Sequence, residues 1–187
     1  MSSYCEIATG HPLHGPYHDR EYGFPLADEA GLFERLVLEI MQAGLNWELV
    51  LKRRHGMRPA FAGYDVDAVA SFGPADEARL LKDTNIIRNR LKVAAIIENA
   101  RRIQAIREDH GSLAGWLETH HPLAKDDWVK LFRRTFKFTG PEIVGEFLMS
   151  IGYLPGAHRE ACPVYARIAA LGPPWMDVPG SGSNRSA

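Results

Sequence analysis

The chain has 187 residues, 45% hydrophobic and 24% charged, with a formal net charge of −1. That length suits one domain with a sizeable core, and the composition excludes a disordered, collagen-like or coiled-coil chain. No apolar run approaches the ~20 residues of a membrane helix. The opening MSSYCEIATG lacks the basic-then-apolar order of a secretory signal, so the expected compartment is the cytoplasm. Residues 1–50 hold eight acidic residues against Arg20 and Arg35, and the remainder is net basic. The near-neutral total does not itself argue for a polyanionic partner, but the basic C-terminal part leaves room for one.

Helical patterns follow one another along the chain. Asp28 is placed to cap a helix whose apolar positions Leu32, Phe33, Leu36, Val37, Ile40 and Met41 recur with period 3.6, ending at Gly44. A second helix is expected over Trp47–Arg54, a short one after Asp65, and another over Pro74–Lys82. The longest is expected over Ile86–Arg107, with its stripe at Ile87, Leu91, Ala94, Ile97, Ala100, Ile103 and Ile106. Asp126 or Asp127 caps a helix over 126–134, and Pro141 opens one over 141–151 that Gly152 ends. No stretch alternates convincingly with period two, so the expected fold is all-α. Residues 1–178 read as one domain. The remaining tail, Pro179–Ala187, is almost free of apolar side chains and reads as disordered.

The link Thr135-Phe136-Lys137-Phe138-Thr139-Gly140-Pro141 joins the last two of these helices. A tight turn ending in Gly leaves backbone amides free at a helix N-terminus, which favours a phosphate. Lys130, Arg133, Arg134 and Lys137 surround it. By itself this reads equally as a solvated basic hairpin.

The chain holds two cysteines, Cys5 and Cys162. Each has a histidine nearby: His18 follows Cys5, and His158 precedes Cys162 at a spacing that one helical turn would place on one face. Cys5, His18, His158 and Cys162 supply the four nitrogen and sulfur ligands that tetrahedral zinc prefers. Four protein ligands leave no open position, so such a zinc is structural. A catalytic Cys–His couple, or coincidence, stays open on spacing alone. A second constellation is Tyr17, Glu39 and Trp47. Glu39 sits at the margin of an apolar helix face, either at a surface edge or looking into a pocket.

Six segments occur in order: Tyr17-His18-Asp19, Leu38-Glu39, Gln42 to Trp47, Ile86 to Lys92, Phe136 to Gly140, and His158-x-x-x-Cys162. Together they resemble the DNA-3-methyladenine glycosylase I family, over nearly the whole chain from Cys5 to about Cys162. The resemblance implies an all-helical helix-hairpin-helix glycosylase fold with two lobes around a base pocket. It implies a structural zinc on Cys5, His18, His158 and Cys162, joining the two ends of the chain. It assigns Tyr17 and Trp47 to stack on the base, Glu39 to the catalytic pocket, Gly44-Leu45 to a plug for the gap left in the duplex, and Lys137, Thr139 and Gly140 to the DNA backbone. The implied partner is double-stranded DNA with an alkylated purine, acted on by a monomer. The implied reaction is hydrolysis of the bond between the sugar and N3-methylated adenine, leaving free base and an abasic site. The catalytic Asp that related glycosylases carry after the hairpin is missing from this family. No Asp lies between Asp127 and Asp177 here. Where the family typically has Trp two residues after the first zinc cysteine, contributing to the base pocket, this chain has Ile7, which is expected to contact the base without a π face, so one stacking partner of the base is expected to be lost. The family's Glu-Trp-Gly is Glu21-Tyr22-Gly23, and Thr84-Asn85 precedes Ile86 where a Gly is common. A non-catalytic or altered-specificity damage-binding protein on the same fold is the alternative. A zinc hydrolase is a distant third.

Overall fold

A computed structural model describes residues 4–177. Its α-helices are α1 (Tyr4–Ala8), α2 (His14–Arg20), α3 (Glu29–Gln42), α4 (Trp47–Ala60), α5 (Val66–Ala70), α6 (Pro74–Lys82), α7 (Arg90–His110), α8 (Leu113–His120), α9 (Lys125–Thr135), α10 (Pro141–Ser150) and α11 (Pro163–Ala169). No strand occurs among the described residues, as the periodicity predicts. The predicted tail Pro179–Ala187 lies outside the described residues.

Helix α3 is the centre of the fold. Asp28 caps it as expected, its carboxylate accepting from the Gly31 amide at 2.8 Å. The periodicity predicts one apolar face, but every residue from Leu32 to Met41 is buried, Glu34, Arg35 and Glu39 included. A helix buried on all sides needs partners all round. Here α4, α5, α7, α8 and α10 supply them. Each fully buried Leu, Phe or Ile contributes roughly 1.5–3 kcal/mol of transfer free energy. Two of the buried charges are paired. Arg35 donates to Glu21 at 2.7 Å, and Glu34 accepts from Arg54 at 3.0 Å. Arg54 also donates to both oxygens of Glu21 at 2.8 Å. Glu39 has no hydrogen-bond partner among the described residues.

Several boundaries differ from expectation for local reasons. Helix α7 begins at Arg90, four residues later than predicted, because the Asn89 side chain accepts from the Leu91 and Lys92 amides. Its predicted stripe is partly misplaced: Leu91 is 71% exposed and Ala94 is exposed, while Lys92, Val93 and Ile96 face inward. Helix α4 runs past Arg54 to Ala60, carrying Pro59 in its last turn. Asp126 and Asp127 lie in the first turn of α9, and Ala124 is its N-cap. Residues 158–162 form a turn rather than a helical face, with Cys162 as N-cap of α11.

Lys92 explains why α7 matters to the rest. Its buried ammonium donates to the carbonyls of Met41 at 2.8 Å and Ala43 at 2.6 Å. These belong to the unsatisfied end of α3, where a cation is favoured. The contact anchors the turn Ala43-Gly44-Leu45-Asn46, in which Gly44 takes φ +76°, a conformation that other residues adopt only with strain. Lys92→Met keeps much of the volume but leaves two buried carbonyls unpaired. It should cost about 1–3 kcal/mol, read as a lower urea midpoint; an unchanged midpoint would show that the carbonyls find other donors.

Candidate active site and metal centre

A cavity of about 680 Å³ opens between α3, the Ala43–Trp47 turn and the start of α10. Tyr17 is 3% exposed and forms one wall, its ring centroid 5.1 Å from that of Trp47. Arg35 lies 4.7 Å from the Tyr17 centroid, which fixes the ring from outside the cavity. Tyr4 and Tyr22 complete an aromatic lining that the sequence reading missed. The Trp47 indole N–H donates to the Tyr4 hydroxyl at 3.2 Å, so the two hold each other.

Ile7 corrects an expectation. It is 51% exposed and does not line the cavity. On α1 it is Tyr4, three residues earlier, that reaches the cavity. The same short helix therefore presents a ring to the cavity, though not from position 7.

Glu39 lines the cavity and is 4% exposed. Burial raises its pKa from 4.5 to about 8; the charge of Glu146 pushes the same way, and Arg35 opposes. Helix α10 adds two further carboxylates to the cavity, Glu142 in its first turn and Glu146 one turn on, both missed by sequence; Glu142 is exposed and Glu146 half-buried. Glu146 Oε2 accepts from the Tyr22 hydroxyl at 3.0 Å, and burial raises the Glu146 pKa. The one available signal for Glu146 was a single charge inside the otherwise uncharged run from Ile143 to Ile151. Among the described residues no Lys or Arg lines the cavity. It is lined by carboxyl groups and aromatic rings, a combination suited to a flat cation.

The mouth is bordered by two loops. Leu45 stands 37% exposed at the tip of the turn that Lys92 anchors, with Gly44 beside it. The hairpin from Phe136 to Gly140 leads into α10. Thr139 is buried, and its hydroxyl donates to the Phe132 carbonyl at 3.2 Å. That side chain closes the hairpin and is not presented outward. The Lys137 amide donates to Asn99 Oδ1 at 2.7 Å, and Asn99 Nδ2 donates back to the Lys137 carbonyl at 3.0 Å. The next amides, of Phe138, Thr139 and Gly140, have no acceptor among the described residues. They sit at the N-terminus of α10, the arrangement that binds phosphate. The Lys137, Arg133 and Arg134 side chains are exposed around them.

Behind the Tyr17–Tyr22 wall, Cys5, His18, His158 and Cys162 come together, all buried, with their ligand atoms within 4.8 Å of one another. Cys162 Sγ lies 3.7 Å from His18 Nε2 and 3.6 Å from His158 Nδ1, and Cys5 Sγ lies 3.7 Å from His158 Nδ1. A tetrahedron with Zn–S of ~2.3 Å and Zn–N of ~2.0–2.1 Å has nitrogen–sulfur edges of about 3.6 Å. The observed spacing fits. Each ring also has an oxygen at its other nitrogen. His18 Nδ1 is 2.6 Å from Asp19 Oδ1, and His158 Nε2 is 2.7 Å from the Tyr22 carbonyl. Such partners set the tautomer that frees the opposite nitrogen for a metal. Gly23 permits this packing. It takes φ +86°, and a Cβ there would lie 2.8 Å from Ala157 Cβ.

The family model described as methyladenine glycosylase matches residues 7–127. The DNA-3-methyladenine glycosylase 1 of Escherichia coli K12 is 34% identical over 180 residues, covering 86% of this chain and 96% of that protein. The DNA-3-methyladenine glycosylase of Haemophilus influenzae is 30% identical, covering 87% and 98%. A solved 3-methyladenine DNA glycosylase I in complex with 3-methyladenine superimposes with a TM-score of 0.77 at 28% identity, over 87% of this chain and 97% of that one. The Staphylococcus aureus 3-methyladenine DNA glycosylase I gives 0.77 at 29% identity, over 86% and 95%.

Two outcomes follow from the geometry. Cys162→Ser removes one of four clustered ligands, so metal bound per chain should fall well below one and the melting temperature should drop; unchanged stoichiometry by elemental analysis would reject the set. Glu39 has a folded pKa raised from 4.5 to about 8. Its contribution to stability is therefore full below about pH 4.5 and is lost as pH rises through about 8. Glu39→Gln should flatten that decline and melt higher than wild type at pH 9; parallel curves for both proteins would contradict it.

The fold, the carboxyl-lined aromatic cavity and the relatives agree: this chain belongs to the methyladenine glycosylase family.

Proposed function

We propose that the chain is a DNA glycosylase that hydrolyses the C1′–N9 bond of N3-methylated adenine flipped out of duplex DNA. The products are free 3-methyladenine and an abasic site. The observation that carries this reading is the buried, unpartnered carboxyl of Glu39 in a cavity of four aromatic rings and, among the described residues, no cationic side chain.

Methylation at N3 makes adenine cationic and already a good leaving group. A cavity lined by carboxyl groups and by no cationic side chain favours that charge over neutral bases. Tyr17 and Trp47 stack on the base, and ionised Glu39 accepts from its amino group in a charge-assisted hydrogen bond. With its pKa near 8 in the empty cavity, Glu39 holds a proton at neutral pH. Arrival of the cation favours releasing that proton, which ties charge recognition to the base itself. Flipping costs a few kcal/mol. Leu45 offsets part of that cost by filling the vacated stack beside Gly44. The free amides at Thr139 and Gly140, with the Lys137 ammonium, hold the backbone independently of sequence.

The Cys5, His18, His158 and Cys162 cluster is read as a zinc site. Bound there, zinc supplies no chemistry to the substrate, because four protein ligands close its coordination shell. It ties α1 and α2 to the segment before α11, which holds Tyr17 and Tyr22 against the cavity. Thiols committed to a metal suit a reducing compartment such as the cytoplasm, where the enzyme acts as a monomer.

Incubation with methylated duplex DNA should release 3-methyladenine, detected by chromatography. Tight binding without release would instead favour a damage-binding module. Glu39→Gln removes a charge-assisted hydrogen bond worth ~1.5–3 kcal/mol, so release should slow about 10- to 100-fold. Wild-type rates in that variant would take Glu39 out of its role.

A further inference from the structure

The proposed reaction leaves open which group receives the proton of the attacking water, and the half-buried carboxylate of the cavity has no assigned task. We propose that Glu146 is the general base of this enzyme, taking that proton while its negative charge stabilises the cationic sugar. This rests on the glycosylase reading above.

Placement separates Glu39 from Glu146, while Glu142, at the first turn of α10, is exposed. Glu39 is 4% exposed in the middle of α3, at the floor, where a flipped base ends its travel. Glu146 is only half-buried, in the second turn of α10. That helix begins at the free hairpin amides, and Gly140, Pro141 and Glu142 of its first turn border the same cavity. A phosphate held at those amides sets the adjoining sugar beside α10, next to Glu146, while the base reaches deeper to Glu39. The Tyr22 hydroxyl holds Glu146 Oε2 at 3.0 Å, and Oε1 has no partner among the described residues. One oxygen is thus positioned and the other is free for water.

The step balances without a further reactant. The C1′–N9 bond breaks, and its electron pair passes to N9 and cancels the positive charge of the base. Water oxygen bonds to C1′, and one of its protons goes to Glu146 Oε1, then to solvent. The departing base needs no proton, which explains how one base at Glu146 suffices. Burial raises the Glu146 pKa, as does Glu142 one turn earlier; the Tyr22 hydroxyl and Lys125, which packs over Gly145, lower it. Glu39 faces it from α3. A base tuned upward toward neutral pH is the more effective one.

The test is single-turnover release of 3-methyladenine from duplex DNA across pH, with free-base affinity measured in parallel. Glu146→Gln is nearly isosteric. With wild-type melting, it should lower the saturating rate by about 100-fold, keep free-base affinity within about twofold, and abolish the acid limb of the rate profile. Tyr22→Phe keeps the ring but removes the hydrogen bond that stabilises the carboxylate, so its acid limb should move to higher pH. That second variant also decides the matter if Glu146→Gln does not fold. Weakened free-base binding at an unchanged saturating rate would make Glu146 a base contact and overturn the proposal. So would an unchanged rate, or an unmoved acid limb in Tyr22→Phe. A wild type that releases no base overturns the glycosylase reading itself, an outcome distinct from an active wild type indifferent to Glu146.

Discussion

A carboxyl group without a hydrogen-bond partner, buried in the middle of the most enclosed helix, is the constraint around which this structure is arranged. Burying an uncompensated ionisable group is unfavourable, and the protein answers by raising the pKa of Glu39 to about 8. The buried neighbours Glu34 and Arg35 are handled differently, through ion pairs with Arg54 and Glu21. Those pairs keep counter-charge on the far side of Tyr17, where Arg35 supports the ring without neutralising the cavity. Strongly shifted carboxyl groups of this kind cluster at functional sites.

Everything that shapes the cavity is fastened at some distance from it. Lys92 fixes the turn carrying Gly44 and Leu45 by binding carbonyls at the end of α3. Asn99, on the same helix α7, fixes the hairpin through both the amide and the carbonyl of Lys137. One long helix therefore sets the spacing between the Gly44-Leu45 turn and the Phe136–Gly140 hairpin. The Cys5, His18, His158 and Cys162 cluster does the same for the aromatic wall. His18 neighbours Tyr17 in sequence, and the Tyr22 carbonyl faces His158. A metal there would tie the wall to the segment before α11 by bonds stronger than packing supplies on helices as short as α1 and α2.

Some of this was legible in the chain. The Asp28 cap, the Pro74–Lys82 helix and the Pro141 start are local effects, decided by side chains within one turn of the backbone they serve, and they were read correctly. Glu39, Tyr17 and Trp47 were found from their order in a recognisable pattern, and all three line the cavity. The misreadings share a cause. Leu91 and Ala94 were assigned to a buried stripe because they are apolar, yet nothing packs on that side of α7. Ile7 was assigned to the pocket by its offset from Cys5, yet the short helix α1 turns Tyr4 there instead. At Thr139, expected at the DNA backbone, the hydroxyl is taken by the Phe132 carbonyl and only the amide is free.

While α1, α2, α8 and α11 carried no signal that was read, the amino-acid order alone determined the helical class, the Asp28 cap of α3, both ends of α6, the start of α10, the identity of the four clustered nitrogen and sulfur ligands, and the family. These depend on periodicity, capping and motif order, all carried by near neighbours along the chain. Tertiary structure decided which aromatic rings face the cavity, that Glu146 joins Glu39 there, and which hairpin amides stay free. Those facts depend on residues far apart in sequence meeting across α3, α7 and α10, and on which groups are thereby dehydrated. Burial and Coulomb interaction act through space, so no spacing along the chain encodes them.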